Sequence, residues 1–588
     1  MTFLRELLAA VLGVLISFFI MFFVFVAIAS VIGSSFTEEE KVVVKNNSVL
    51  VLNLEEVIKD YAPKSSDPFE QILGLDEKKM GLNSIINAID NAKYDDNILG
   101  ISIEALMLNA GIAQVQEIRD KLFEFKESGK FVMAFADVYD QKNYYLSSVA
   151  DSIYVNPVGL IQFKGLSGEV LYFKDFQDKY GVRMEVIRHG KYKSAVEPFL
   201  ANEMSEANRE QTQAFLNSIW AEMVDDIGES RNLESEGINH IADELLARNP
   251  NLAIENKMIT GALYLDEYEK VLKQLAGIEN DKTLNAISLK NYISSGKGRM
   301  ISTSTNKIAV IYAQGEIMYG KGDENYIGQD LIIESLKKAR KAKDVKAIVL
   351  RVNSPGGSAL ASDIIWRELE ITKKEKPLVV SMGSLATSGG YYISCNANKI
   401  IAEPTTITGS IGVFGIVPNI SDFVKRIGIN AEQVGTNKRS LEYSIFEPIT
   451  DDFYNVTKEG IENVYTTFVS KVAEGRNMSF EQVDELAQGR VWTGTQALSN
   501  GLVDELGSLE DAIKVAADLA DIGEYRIRNY PDYKREFKDM FSGPFSSVKT
   551  HLLKEEIGEE NLKIYQRIKQ FGDWKGVQTR LPFLLEIN

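Results

Sequence analysis

Apolar and polar residues alternate along most of this chain in two patterns. Short apolar runs bounded by turn-forming residues predict buried strands, and segments with apolar residues three or four positions apart predict helices between them. Helical spacing is clearest at residues 332–336 and 364–369. The predicted strands lie at residues 48–52, 98–103, 131–135, 307–312, 347–352, 378–382 and 399–402. This alternation predicts an α/β architecture with βαβ crossovers.

The first 36 residues depart from that pattern. Residues 7–36 contain no charged side chain, and the run exceeds both the ~20 residues that cross a bilayer and the roughly 7–15 apolar residues of a cleavable signal peptide. We therefore expect a retained N-terminal transmembrane anchor over residues 1–36. A cleaved signal is the alternative, favoured by small residues such as Ala27 and Ala29. The count of Lys and Arg around the span does not favour an N-terminus inside, but single-span anchors of this kind usually export the chain that comes after them.

The body of the chain contains an internal duplication, and a duplication of this length constrains the fold of both copies. Residues 130–181 align with residues 377–428 without a gap, at a constant offset of 247. The offset places Tyr144-Tyr145-Leu146-Ser147 on Tyr391-Tyr392-Ile393-Ser394, and Asp175-Phe176 on Asp422-Phe423. We expect two α/β repeats at residues 37–295 and 306–524, joined by a polar linker at 296–305 and followed by a C-terminal tail at 525–588.

Composition excludes several classes of protein. The net charge of −18 and the pI near 5.0 argue against a nucleic-acid-binding protein, whose surface would be basic. Cys395 is the only cysteine, so an intramolecular disulfide and a Cys-rich metal site are both excluded. The chain has three histidines and no His-Glu-x-x-His pattern, which argues against a His-based zinc site. No metal or cofactor is indicated.

Two glycine-rich turns carry the candidate chemistry. Asn353-Ser354-Pro355-Gly356-Gly357-Ser358 follows one predicted strand, and Ala386-Thr387-Ser388-Gly389-Gly390 follows the next. Glycines at such turns let backbone N–H groups approach an oxyanion. The first repeat has Leu108-Asn109-Ala110 opposite the first turn, so the scaffold itself does not require the glycines. Both turns belong at the carboxyl edge of one sheet, where α/β proteins place their sites.

A nucleophilic serine at position 388 needs a base. His189 is the only histidine near an interesting motif, and a packing role suits it better. Lysine can act as a base when burial keeps it neutral, and Lys193 lies in the apolar setting of Tyr192 and Ser194-Ala195-Val196, with Lys191 as its competitor. The duplication places Gln141 opposite Ser388 and Ser440 opposite Lys193. Each repeat has therefore kept one member of the pair, and neither is a complete enzyme.

These motifs together resemble a known family. The N-terminal span, the duplication, Gly-Lys-Tyr-Lys193-Ser-Ala-Val-Glu-Pro-Phe, Ser-Pro-Gly-Gly, Ala-Thr-Ser388-Gly-Gly-Tyr-Tyr and Thr408-Gly-Ser-Ile-Gly-Val resemble the long, two-repeat form of the bacterial signal peptide peptidase A (protease IV) family. The resemblance implies a crotonase/Clp-protease-like fold in each half and a membrane-anchored homo-oligomer, expected to be a tetramer. It makes Ser388 the nucleophile, Lys193 the general base and Ser410 a residue that orients the lysine.

The same resemblance implies the rest of the site and the substrate. Gly356, Gly357 and Gly389 become the oxyanion donors, while Cys395 has no expected role. The implied substrates are cleaved signal peptides and other extended apolar peptides, and the implied location is the bacterial inner membrane with the catalytic domains on its outer, periplasmic face. Two alternatives are an acyl-CoA hydratase or isomerase, which would need a catalytic carboxylate, and a non-catalytic membrane scaffold of the same fold.

Overall fold

The structure, a computed structural model, describes residues 5–6, 10–24, 42–63, 79–297, 302–440, 443–533 and 577–580. Within these ranges, none of the helices combines the length and the hydropathy that crossing a bilayer requires. Residues 1–4, 7–9 and 25–36 of the predicted anchor, residues 298–301 of the predicted linker and most of the predicted C-terminal tail lie outside the described residues.

Strands and helices alternate through both halves, as the hydropathy pattern predicts. The described strands of the first half are β1 Ser48–Leu52, β2 Val57–Lys59, β3 Lys79–Gly81, β4 Ile98–Ile103, β5 Phe131–Tyr139, β6 Ser152–Ile161, β7 Arg183–His189, β8 Gly261–Ala262 and β9 Asn285–Ser288. Those of the second half are β10 Lys307–Gln314, β11 Glu316–Met318, β12 Tyr326–Gly328, β13 Val345–Ser354, β14 Gly356–Ser358, β15 Leu378–Thr387, β16 Lys399–Ala402, β17 Ile407–Gly409, β18 Val413–Asn419, β19 Val491–Thr493, β20 Glu505–Leu506, β21 Arg526–Tyr530 and β22 Val577–Arg580.

The helices lie between these strands and cover the faces of the sheets. In the first half they are α1 Leu82–Tyr94, α2 Ile112–Lys126, α3 Gln141–Ser147, α4 Lys174–Tyr180, α5 Glu197–Leu200, α6 Glu206–Arg231, α7 Ser235–Asp243, α8 Pro250–Glu255, α9 Leu265–Leu275 and α10 Leu289–Ser294. In the second half they are α11 Gln329–Lys341, α12 Ala359–Lys373, α13 Gly389–Tyr392, α14 Ser421–Arg426, α15 Asp451–Arg476, α16 Phe480–Leu486, α17 Gly494–Ser499 and α18 Leu509–Leu519.

Each half contains its own largely parallel sheet. The described strands of the first follow the order β8-β6-β5-β4-β1-β9, and those of the second follow β19-β17-β15-β13-β10-β21, with β16 between β15 and β20. Only the β17–β19 pairing is antiparallel among the described pairings of these two sheets. Buried apolar side chains fill the layers between sheets and helices in both halves. The predicted α/β class is therefore confirmed.

The duplication extends further in the structure than in the sequence alignment. Helices α1 and α11 each have 13 residues, and α2 and α12 each have 15, at the same offset of 247. Farther along, α6 and α15 each have 26 residues and end at an asparagine in the left-handed conformation. These elements are thus equivalent in the two halves, so differences between their equivalent positions can be compared directly.

A third sheet combines strands from both halves. Its order is β12-β11-β14-β22-β18-β7. Strand β7 of the first half pairs antiparallel with β18 of the second, from Arg183 opposite Asn419 to His189 opposite Val413. Because β7 leads directly to Lys193, this pairing brings the lysine of the first half to the second.

A buried ionic cluster also joins the halves behind the site. Arg351 on β13 is fully buried and donates to Asp60 Oδ1 from Nε at 3.0 Å and from Nη2 at 2.8 Å; it also contacts Glu117 on α2. Asn353 donates to Asp60 Oδ2 through Nδ2 and accepts from the N–H of Leu385 on β15 at 3.1 Å. Carboxylates of the first half therefore fix the two strands that lead to the glycine-rich turns.

Candidate active site

Ser388 lies at a sharp turn between β15 and helix α13. Its φ of +56° belongs to the left-handed region, which residues with a side chain seldom adopt and which is concentrated at functional sites. The Ser388 N–H donates to the Gly409 carbonyl at 2.7 Å, and the Ser388 carbonyl accepts from Tyr392 N–H at 2.8 Å. A Cβ at Gly390 would lie 3.0 Å from the Ser354 carbonyl oxygen. The second glycine after Ser388 therefore allows the turn to pack closely against β13.

Lys193 follows β7 in a loop that packs against residues 488–489 of the second half. The Tyr192 N–H donates to the Gln488 carbonyl at 2.8 Å, and Gly190, with a φ of +109°, passes so close that a Cβ would lie 2.5 Å from that same oxygen. A Cβ at Gly489 would lie 2.7 Å from the Cβ of Lys193. Glycines at these two positions therefore let the loop of the first half pack against residues 488–489 of the second.

The structure brings Lys193, Ser388 and Ser410 together. Nζ of Lys193 donates to Ser388 Oγ at 2.9 Å, to Ser410 Oγ at 2.9 Å and to the Ser410 carbonyl at 3.0 Å. All three residues are fully buried. Ser410 has a φ of +51°, and its N–H donates to the Arg490 carbonyl at 2.6 Å. All of these contacts form within a single chain.

Burial lowers the pKa of Lys193 well below its usual value of 10.5. The ammonium form loses its hydration in this interior, and the hydrogen bonds at Nζ go to neutral oxygens. Loss of hydration is the cause of this lowering of the pKa. A lysine in this setting can carry a free lone pair at a pH where exposed lysines are charged.

Further polar side chains hold the lysine loop, and sequence reasoning did not identify them. Arg188 donates from Nη1 to the Lys193 carbonyl at 3.0 Å, and Gln211 on α6 donates from Nε2 to the Tyr192 carbonyl at 3.0 Å and to Ser194 Oγ at 2.9 Å. Glu197 accepts from Ser205 Oγ at 2.6 Å. Glu197 belongs to the lysine motif itself and Arg188 lies two residues before it, so their positions in the sequence were a usable signal. No sequence signal pointed to Gln211, because it lies on a separate helix.

The three predicted oxyanion glycines lie around the serine turn. Gly356 and Gly357 form β14 directly after β13, with φ of +97° and +150°, and Gly389 opens helix α13 next to Ser388. The Gly356 N–H donates to Ser354 Oγ at 3.1 Å. A Cβ at Gly357 would lie 2.0 Å from the Ile317 carbonyl oxygen. Only glycine therefore fits at position 357.

A strand of the C-terminal tail lies beside this turn. Strand β22 pairs antiparallel with β14, placing residue 580 opposite Gly356 and residue 579 opposite Gly357. On its other side it pairs antiparallel with β18, with residue 578 opposite Phe414. An extended segment thus fills the space between the glycine turn and the strand that precedes helix α14. The space has the width of one strand and offers backbone partners on both edges.

The competing candidates lie in other environments. Nδ1 of His189 is 2.6 Å from Glu462 Oε2, and the imidazole stacks on Tyr465 at 3.7 Å between ring centroids. Lys191 is exposed, with Nζ 5.0 Å from the centre of the Tyr192 ring. Cys395 is buried, and burial raises the pKa of its thiol to about 12. None of these environments suits a general base for Ser388 or an alternative nucleophile.

Comparison with known proteins places the chain in a family. The model of Peptidase family S49 matches residues 124–279 and again residues 370–523. The chain belongs to peptidase family S49. One S49 segment lies in each half of the chain, so family S49 accounts for the duplication as two copies of its own domain. As an S49 member the chain is a serine peptidase, and neither an acyl-CoA enzyme nor a non-catalytic scaffold is supported.

Relatives of known name support the two-repeat S49 form. The chain is 37% identical over 506 residues to Protease 4 of Haemophilus influenzae, covering 84% of this chain and 82% of that protein. It is 31% identical over 514 residues to the chloroplastic Serine protease SPPA of Arabidopsis thaliana, covering 86% and 74%. A ClpP1 mutant of Listeria monocytogenes aligns with 36% of this chain at 16% identity and a TM-score of 0.24, which is too low to assign a fold.

Proposed function

We propose that this S49 peptidase is a membrane-anchored endopeptidase that cleaves peptides with a Ser388–Lys193 dyad. The observation that carries the proposal is the 2.9 Å contact between Nζ of a fully buried lysine and Oγ of a serine in a left-handed turn. Ser388 acts as the nucleophile and Lys193 as the general base. Ser410 orients the amine, because its Oγ and its carbonyl both accept from Nζ.

The proposed reaction is acyl transfer to Ser388. Neutral Lys193 takes the proton of Ser388 Oγ while the oxygen forms a bond to the carbonyl carbon of the scissile peptide. The C–N bond then breaks as Lys193 gives its proton to the leaving amine, which leaves an ester on Ser388. Water, deprotonated by Lys193, attacks the ester, and the proton returns to Ser388 Oγ as the acid product leaves. One lysine thus acts as base and as acid in turn.

Backbone N–H groups of the glycine turns are the proposed oxyanion donors. Gly389 directly follows the nucleophile at the start of α13, and Gly356 and Gly357 reach the same corner from β13. Pre-oriented N–H groups stabilise the negative charge that develops on the carbonyl oxygen, and one such donor is worth about 10²–10³ in kcat.

The substrate we propose is an extended apolar peptide, such as a cleaved signal peptide. A peptide can bind by adding a strand to backbone edges, and the space between β14 and β18 has two such edges, as β22 demonstrates. On the β18 side, Phe414 and Ile416 pack with Val196 in an apolar cluster, and this apolar environment supports an apolar substrate. Backbone pairing also explains how one site can accept different sequences.

We further propose that residues 1–36 anchor the protein in a bacterial inner membrane. The apolar run at residues 7–36 supports this, and residues 10–24 are helical. The catalytic halves would lie on the periplasmic side, where cleaved signal peptides remain in or near the bilayer. A homo-oligomer, expected to be a tetramer, and the crotonase/Clp-protease-like nature of each repeat remain predictions.

The test is hydrolysis of an apolar reporter peptide by the full chain in detergent. Ser388→Ala and Lys193→Ala are each expected to abolish turnover, whereas Lys191→Ala is the matched control two positions away and is expected to keep it. Equal near-ultraviolet circular dichroism and equal sedimentation establish that the variants fold. Turnover that survives Lys193→Ala in a folded protein would overturn the dyad, and loss in Lys191→Ala would move the base to that residue.

A further inference from the structure

Strand β13 is longer than its counterpart in the first half. At the offset of 247, β4 Ile98–Ile103 corresponds to residues 345–350, but β13 continues through residues 351–354. The equivalent residues 104–107 belong to no strand. The first half therefore forms its sheet without such an extension. In the second half, the extension leads directly to the glycine turn at residues 356–357.

Asn353 links this extension to three other parts of the chain. Its Nδ2 donates to Asp60 Oδ2 in the first half, and its Oδ1 accepts from Leu385 N–H at 3.1 Å. Its carbonyl accepts from Gly315 N–H at 2.9 Å. The equivalent position in the first half is Leu106, which is exposed and whose side chain cannot form hydrogen bonds. The link is thus present only in the half that contains the serine turn.

The partners of Asn353 lead to both glycine-rich turns. Leu385 belongs to β15, the strand that ends directly before Ser388, and the register of β13 with β15 is irregular at this point. Gly315 directly precedes β11, which pairs with β14 at Gly357. Through its side chain and its carbonyl, Asn353 therefore joins the strand that leads to Ser388 to the strand that fixes Gly357.

Asp60 reaches Asn353 from the segment directly after β2. It is only 2% exposed, and its Oδ1 accepts from Nε and Nη2 of Arg351. The next residue fixes the segment to the second half: Tyr61 N–H donates to Gln314 Oε1 at 3.1 Å, and the Tyr61 carbonyl accepts from Gln314 Nε2 at 2.9 Å. The carboxylate of Asp60 is therefore held in place as the acceptor for Asn353.

We propose that Asn353, held by Asp60, is a positioning residue that sets the distance between Ser388 and the glycine turn. The inference rests on the proposed function, because this distance matters only if the turn stabilises an oxyanion on a carbonyl attacked by Ser388. Catalytic geometry must be held within about 0.5 Å, and a misplacement of about 1 Å can slow a reaction by about 10²-fold. The first half, with Leu106 and Gln141 at the equivalent positions, has neither the nucleophile nor the link.

Asn353→Ala tests the link without leaving a buried charge unpaired, since Asp60 keeps its contacts with Arg351. With the apolar reporter peptide and the full chain in detergent, we expect kcat to fall by about 10–100-fold and KM to stay within about two-fold. Asn398→Ala is the matched control, because Asn398 Oδ1 accepts from Leu378 N–H at 2.9 Å at the opposite end of β15. Its kcat is expected to stay within about two-fold.

A peptide aldehyde separates positioning from a general loss of folded protein. Ser388 Oγ adds to the aldehyde carbon and its proton passes to Lys193, which leaves the former carbonyl oxygen as an oxyanion. The Ki of the aldehyde should therefore rise in Asn353→Ala by the same factor by which kcat/KM falls. The corresponding peptide alcohol forms no adduct and should bind the variant and the unmodified chain equally.

Exchanging the two side chains tests the polar link itself. Asp60→Asn alone places a donor opposite a donor, and Asn353→Asp alone places a carboxylate opposite a carboxylate, so each should lower kcat. In Asp60→Asn/Asn353→Asp, the amide at position 60 donates to the carboxylate at position 353, which still accepts from Leu385 N–H. We expect kcat of this double variant to recover to within about three-fold of the unmodified chain.

The outcomes separate this inference from the proposed function. Turnover retained by Ser388→Ala would overturn the dyad and the inference with it. With Ser388→Ala inactive, the positioning role alone would be overturned by an unchanged kcat or a loss of folding in Asn353→Ala, an equal loss in Asn398→Ala, or a change confined to KM. Equal weakening of aldehyde and alcohol binding, or no recovery in the exchanged pair, would overturn it as well.

Discussion

The corner around Ser388 and the equivalent corner around Gln141 share a scaffold but not a conformation. Helix α13 begins after Ser388, which has a left-handed backbone. Helix α3 begins at Gln141 itself, and the preceding Asp140 caps it by accepting from Asn143 N–H at 2.7 Å. Gln141 Oε1 accepts from the N–H groups of Lys164 and Gly165 at 3.0 and 3.2 Å. The corner at Ser388 keeps a strained turn that presents a hydroxyl oxygen to Lys193. At the equivalent corner, the Gln141 side chain accepts hydrogen bonds from backbone N–H groups.

The lysine side shows the same contrast. A Cβ at Gly412 would lie 3.2 Å from Lys193 Cδ, whereas Gly165, its counterpart, has nothing within 4 Å of such an atom. Ser440, which the offset of 247 places opposite Lys193, is exposed and accepts from Asn437 N–H at 2.9 Å. The fold therefore tolerates either arrangement, and of these two corners the one with the strained turn and the buried amine is the one for which we propose catalysis.

Exchanging the corner residues should have the largest effect. Ser388→Gln is expected to reduce kcat/KM by at least about 10³-fold, because the nucleophile is lost. Gln141→Ser is expected to leave kcat/KM within about two-fold. It should, however, lower the free energy of unfolding by about 0.5–1.5 kcal/mol, because two partly exposed backbone N–H groups lose their side-chain acceptor. Peptide hydrolysis measures kcat/KM, and urea unfolding measures the free energy of unfolding. A large loss of turnover in Gln141→Ser would show that the two corners do not differ in function.

Ser410→Ala should have the next largest effect. Nζ of Lys193 would lose one of its two contacts with Ser410, so we expect kcat to fall by about 10–100-fold with KM little changed. The Oγ also stabilises the ammonium form by accepting from it, so the acid limb of the pH–rate profile should move to lower pH. An unchanged profile together with an unchanged kcat would show that Ser410 does not orient the amine.

The stability of the chain should depend on pH through Lys193. Burial lowers the pKa of this amine in the folded state, so between that pKa and about 10.4, the value for an unfolded lysine, the unfolded chain binds more protons. Stability contributed by this group therefore rises with pH across that window, by about 1.4 kcal/mol per pH unit. Activity should rise with pH through the lower pKa.

Lys193→Met checks this pH dependence. The variant should be inactive but should have a higher Tm than the unmodified chain at pH 7, because no amine must be kept neutral. The difference in Tm should shrink at pH 9. An equal or lower Tm for Lys193→Met at pH 7 would show that the buried amine carries little energetic cost. Lys191→Met is the exposed control and should leave Tm unchanged.

Ending the chain before residue 577 should have the smallest effect. Strand β22 occupies the space proposed for substrate, so its removal is expected to lower KM for a short peptide by about two- to five-fold, by ending competition for one site. The kcat should not change, since β22 supplies no atom to the dyad contacts described above. A raised KM would instead indicate that β22 forms part of the binding surface.

The sequence predicted the architecture well because buried strands leave a strong local signal. Strands β1, β4 and β16 have the predicted bounds, and the α/β class is confirmed. The duplication also singled out Ser388 and Lys193 as a pair, because each aligns with a residue of a different type in the other repeat. The structure then places the two side chains in contact, while their catalytic roles remain a proposal.

The features that the sequence did not predict depend on contacts distant in the chain. The pairing of β7 with β18 joins segments more than two hundred residues apart, and no local pattern encodes it. Strand β21 lies in the region predicted as tail, yet it pairs with β10 at the edge of the second sheet. Gln211 and Arg351 act through neighbours supplied by other elements, so their roles were visible only after folding.

The separation of Lys193 from Ser388 also affects when the enzyme becomes active. The two residues are 195 positions apart, and at a synthesis rate of about 5–20 residues per second the lysine precedes the serine by roughly 10–40 s. The strand that carries the lysine finds its partner only after β18 has been made. With the proposed dyad, a nascent or truncated chain that contains the first half alone has the lysine but no nucleophile, so we expect it to hydrolyse no peptide.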